Sequence, residues 1–145
     1  MATHAPFEPA EATARPAAPP IMDSWTFPAR SRSAGEARRR VGWCFAPILT
    51  KTRHDDLCVV VGEVMANAIQ HSSDALPVEL RVAEHESFVR IEVTNTGPGL
   101  APRPGATTPS HDGGFGLFLM ERLAREWGMT RQHERTQVWF EFDYV

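Results

Sequence analysis

The chain of 145 residues has a single lysine, Lys51, one tyrosine, two cysteines and no excess of positive charge. Each shortage excludes something. With a formal net charge of -3 and a pI near 6.1, there is no basic field to draw nucleic acid or an anionic membrane, so any bound anion must be gripped locally. Cys44 and Cys58 sit in apolar helical surroundings and read as buried thiols rather than a disulfide or half of a metal site, which suits a reducing cytoplasm. No stretch approaches the roughly 20 apolar residues of a membrane span, and the start lacks the apolar core of a signal peptide. The expectation is a soluble, cytoplasmic protein that engages neither membrane nor nucleic acid.

What is present fits one domain, since 42% of residues are hydrophobic and 23% charged. Residues 1–22 are mostly Ala, Pro, Thr and Glu, which bury too little apolar surface to offset the entropy of ordering, so they read as a disordered tail before a domain over 23–145. Asp23-Ser-Trp-Thr-Phe alternates like a strand. Ser33 is placed to cap a helix through Ala46 whose Arg38, Arg39 and Arg40 form a solvated face or a partner surface. A second helix is expected from Asp55 or Asp56 to His71, then two alternating strands over 77–84 and 88–94. A long proline- and glycine-rich loop over 97–113 has the length of a functional lid or a disordered segment. A third helix over 114–127, stopped by Gly128, and a closing hairpin over 129–133 and 136–144 complete the order. Hairpin-linked strands with grouped helices predict an α+β two-layer sandwich, its sheet mixed but mostly antiparallel and its helices on one face.

On the second helix, Asp56, Glu63, Asn67, Gln70 and His71 fall within about a third of the circumference at 100° per residue. An amphipathic helix with its wet side outward accounts for that periodicity. Yet the stripe carries no lysine or arginine and is flanked by Val59, Val60 and Ala66, which also suits a cleft for a cation or a reacting hydroxyl. Asn67 Oδ1 is a neutral oxygen ligand of the kind magnesium accepts when phosphates supply the rest, and a glutamate one turn earlier can orient or deprotonate a hydroxyl. His71, at the helix end, reads as a cap or a further ligand. Two glycine boxes follow, Asn95-Thr-Gly-Pro-Gly99 and Gly113-Gly-Phe-Gly-Leu117. The first permits close backbone approach to a planar base. The second opens a helix, where free N–H groups make an anion site.

Taken in order, EVMANAIQH, NTGPG and GGFGL resemble the three ATP-binding boxes of the GHKL superfamily, which includes sensor histidine kinases and gyrase-type ATPases and has the Bergerat-type fold. The short length and the ending GLFLMERLAREWG with TQVWFEF most resemble the bacterial anti-sigma-factor serine/threonine kinases. The resemblance spans nearly everything but the tail. It implies ATP and Mg2+ as cofactors, Glu63 as general base and Asn67 as magnesium ligand. It further implies Asn95, Gly97, Gly99 and Thr136 around the adenine, and Gly114, Phe115, Gly116 and Leu117 at the phosphates. Its implied partners are a sigma factor, an antagonist protein that is phosphorylated, and a second copy in a homodimer.

Asn95 departs from the family pattern, which has aspartate there to accept a hydrogen bond from the adenine amine. Asparagine keeps an acceptor, but a neutral bond is weaker, and a loss on the order of 1 to 2 kcal/mol would weaken ATP about ten- to thirtyfold. With its NH2 turned inward, the same side chain would donate to guanine O6 instead. Two functions therefore stand at this point: a kinase that sequesters one partner and phosphorylates another, and a non-catalytic partner-binding regulator with weakened or lost ATP binding.

Overall fold

In the strand β4 (Phe88–Thr96), Val89, Ile91 and Val93 point to one side and Arg90, Glu92 and Thr94 to the other. That period of two divides the whole molecule. A computed structural model describes residues 7–9, 19–73, 76–97 and 114–145, with side chains in all of these except 7–9 and 114–117. Around β4 the chain forms β1 (Phe7–Pro9), β2 (Ile21–Phe27), α1 (Arg32–Phe45), α2 (Lys51–Gln70), β3 (Val78–Glu84), α3 (Gly114–Leu123), β5 (Glu126–Gln132) and β6 (Arg135–Asp143). The sheet order is β1-β5-β6-β4-β3-β2, antiparallel throughout except where β1 lies parallel to β5. It is an α+β sandwich with a mixed, mostly antiparallel sheet, as the strand pattern predicts.

The core lies between sheet and helices. Val78, Leu80 and Val82 of β3 and Phe140 and Phe142 of β6 meet Val61, Val64 and Met65 of α2 there, with Val41 and Phe45 of α1 behind them. Full burial of each such side chain stabilises by about 1.5–3 kcal/mol. The opposite sheet face is polar, and its centre is closed to solvent at Arg90, Glu92 and Glu141. Arg90 binds Glu92 at 2.9 Å and Glu141 at 3.1 Å, Arg81 binds Glu92 at 2.9 Å, and the Arg90 guanidinium lies 4.3 Å from the Trp139 ring centre.

Several boundaries differ from expectation. Ile21 and Met22 already belong to β2, and 7–9 form β1, so the first 22 residues do not all stand outside the sheet. α2 starts a turn before Asp55, because Thr50 is the N-cap and its hydroxyl accepts from the Arg53 amide at 3.3 Å; α1 likewise begins at Arg32, while the Ser33 hydroxyl donates to the Pro28 carbonyl at 2.7 Å. β4 runs on through Asn95 to Thr96. α3 stops at Leu123, so Trp127 and Gly128 lie in β5, and Gly128 is no helix stop. It faces Trp139 across the β5–β6 ladder, where an added Cβ would come 2.7 Å from the indole. The two cysteines are free and half-buried rather than fully buried. No helix among the described residues is long and apolar enough to cross a membrane.

Candidate functional site

Because β4 continues to Thr96, Asn95 takes the inward side of the same alternation that buries Val93, and only 4% of it is exposed. Its cross-strand partner is Thr136 of β6, just as Val93 faces Val138 two pairs further along. The apolar inner face of the sheet thus ends in a polar pair. Over that pair come Val64, Asn67 and Ala68 from α2 and Met120 from α3, and these eight residues line one cleft. Apolar walls with a few converging polar groups are what a planar, hydrogen-bonding ligand requires.

The end of α2 fixes the polar side of the cleft. His71 is the C-cap, its N–H bonding to the Asn67 carbonyl at 3.1 Å, and its own carbonyl accepts from Asn95 Nδ2 at 3.3 Å. That bond uses one of the two Nδ2 hydrogens and orients the amide so that Oδ1 can accept from a base. Gly97 closes the corner with a φ of 146°, and an added Cβ would fall on the His71 carbonyl oxygen and 2.9 Å from the Ser73 nitrogen. Only glycine fits both the backbone angle and the space. His71 Nε2 and Ser72 Oγ, in the same corner, are buried with no hydrogen-bond partner among the described residues.

Glu63 is half-buried one turn before Asn67 and is not among the residues lining the cleft. Gly114 to Leu117 form the first turn of α3, the helix whose Met120 reaches the cleft. Gly99 and the expected lid lie outside the described residues. The structure therefore gathers Asn67, Asn95 and Thr136 of the expected site residues around one cavity, with Gly97 at its rim. Val64, Ala68, Val93, Met120 and Val138 complete the walls. Sequence reasoning attached no ligand role to these five; the signal for Val93 and Val138 was the inward parity they share with Asn95 and Thr136.

A histidine kinase-like ATPase domain model matches residues 27–142. The chain belongs to that family. Comparison with curated proteins gives no significant match. Membership makes ATP the ligand implied for this histidine kinase-like ATPase domain, and the donor set fits a purine: one amide acceptor, one hydroxyl and aliphatic walls. The volume is tight, about 20 Å³, close to the room one water needs, so a base enters only if the walls part. Among the described residues no group of three or more His, Cys, Asp or Glu forms a metal site, so a magnesium ion here would depend on Asn67 together with the phosphates. A larger hollow of about 550 Å³ on the other sheet face, lined by Arg81, Thr94, Arg135 and Gln137 among others, carries no residue of the three ATP-binding boxes.

Proposed function

We propose that this domain is an ATP-dependent serine/threonine kinase of the anti-sigma-factor type, which sequesters one protein partner and phosphorylates an antagonist of that complex. The reading is carried by the convergence of Asn67, Asn95 and Thr136 on one cleft that α3, beginning at Gly114, also reaches. When bound, ATP would supply the phosphoryl group. Asn95 Oδ1 would accept from the adenine amine, Thr136 would border the base, and Asn67 Oδ1 would hold magnesium. Glu63, one turn from Asn67, would take the proton from the incoming hydroxyl. The backbone N–H groups of the first turn of α3 would meet the phosphates. A second copy, a cytoplasmic setting and the sigma-factor partner belong to the same reading.

A second reading has its own observations. Asn95 is tied to the His71 carbonyl and the cleft is narrow, which favours a partner-binding regulator in which ATP is bound weakly or not at all. Calorimetric titration with ATP and magnesium, then incubation of γ-labelled ATP with candidate antagonist proteins, separates the two. The kinase reading expects magnesium-dependent binding and transfer of label to a serine or threonine, with transfer reduced by about 10²-fold or more in Glu63→Gln while binding persists. Binding without transfer leaves the regulator; transfer that Glu63→Gln does not slow removes Glu63 as the base.

A further inference from the structure

The outer side of α1 carries features that nucleotide binding does not use. Arg32, Glu36, Arg39 and Trp43 recur at spacings of three and four, so they form one stripe along the helix. Trp43 is 89% exposed, more than any other large apolar side chain among the described residues. The helix holds to the protein by its other side, through buried Ala37, Val41 and Phe45 and through Gly42, which packs against Cys58 and His54. Trp43 therefore has no part in the core. A single exposed apolar residue is ordinary, but an indole among arginines is the composition that dominates protein interfaces. Four arginines stand on α1 against one glutamate, in a chain whose net charge is -3.

We propose that this face of α1 docks an acidic protein segment, whose carboxylates pair with Arg32, Arg39 and Arg40 while an apolar socket takes the Trp43 indole. A second copy is a poor occupant, because a two-fold contact would press together two copies of a helix face whose arginines outnumber its one glutamate. An anionic membrane is also a poor fit, because interfacial helices present a continuous apolar stripe and this one offers a lone aromatic with Glu36 beside it. The surface is separate from the ATP cleft. Gly62, on the side of α2 that meets Arg38 of α1, is five residues and so about 140° around the helix from Asn67. The proposal thus goes beyond the kinase reading and survives its failure.

The test uses the full chain labelled with 5-fluorotryptophan and fluorine NMR, which resolves the four tryptophans, Trp43 being identified through Trp43→Phe. The probe is a helical peptide of glutamate and leucine at three- and four-residue spacing; its control replaces each leucine by serine. The expected result is that the leucine peptide shifts the Trp43 signal, and that Trp43→Ser or the double change Arg39→Glu, Arg40→Glu weakens binding by about tenfold or more. Added salt should weaken it too, and ATP titration should be unchanged in both variants. Equal binding by Trp43→Ser, or equal binding of the serine control, would overturn the proposal. So would a Trp43 shift produced by raising protein concentration alone, or stronger binding to phosphatidylserine vesicles than to the peptide.

Discussion

At the scale of a single residue, Asn95 joins two requirements that an aspartate would set against each other. Its Nδ2 donates to the His71 carbonyl, tying the end of β4 to the end of α2, while Oδ1 remains an acceptor inside the cleft. A carboxylate there would lose the donor and place negative charge beside a carbonyl oxygen. Asn95→Asp should therefore cost about 1–2 kcal/mol of folding stability, seen as a lower urea midpoint, and should strengthen ATP binding about tenfold by restoring a charge-assisted bond. Higher affinity with undiminished stability would show that the His71 bond is unimportant; unchanged affinity would remove Asn95 from the base pocket. Sequence made this residue stand out through its neighbouring glycines. Its burial was legible as well, since Val89, Ile91, Val93 and Asn95 share one parity, but the glycines after it invited an early end to the strand.

At the scale of elements, the same competition between local signal and long-range pairing explains which parts of the fold could be read. The β3–β4 hairpin and the polar flank of α2 follow from periodicities of two and 3.6 that packing reinforces. The end of α3 does not: GLFLMERLAREWG looks helical throughout, and what breaks it at Leu123 is the pairing of Glu126 to Gln132 with β6, some ten residues further on. Gly128 serves that pairing by leaving room for Trp139. The pairing of 7–9 with β5 was equally out of reach, because three residues in a proline-rich stretch carry no period and their partner is more than a hundred residues away. Two glycine substitutions separate these roles. Gly128→Ala should destabilise by about 1–3 kcal/mol because the Cβ meets a rigid, buried ring, whereas Gly35→Ala, inside α1 with only the flexible Arg39 guanidinium 3.6 Å away, should stabilise by about 0.5–1 kcal/mol. Thermal unfolding of the pair checks both signs, and a neutral Gly128→Ala would contradict the close contact with Trp139.

At the scale of the whole molecule, the composition that opens the sequence also makes its alkaline behaviour readable. Burial raises the thiol of Cys44 above the usual 9.0, helped by nearby Asp23 and opposed by Arg40. Burial likewise raises Cys58, with Arg38 opposing and Asp55 adding to the rise. A thiol is neutral while protonated, so the folded chain holds these protons more tightly than the unfolded chain does. Below the unfolded value both states are protonated and the two cysteines give no slope. As pH climbs past 9.0, the unfolded chain ionises first, and stability falls until the folded thiols ionise too. Tyr144, raised above 10.0 by burial and by Glu84, extends the decline in the same direction at higher pH. Few other groups confuse this window, because Lys51 is the only lysine and Tyr144 the only tyrosine. Urea unfolding at a series of pH values from 7 to 10.5 should show a flat region followed by a fall beginning near 9, and the double variant Cys44→Ala, Cys58→Ala should delay the onset to the tyrosine range. A fall of the same size and onset in the double variant would mean that the two thiols ionise alike in both states, and that Cys44 on α1 and Cys58 on α2 stand open to water.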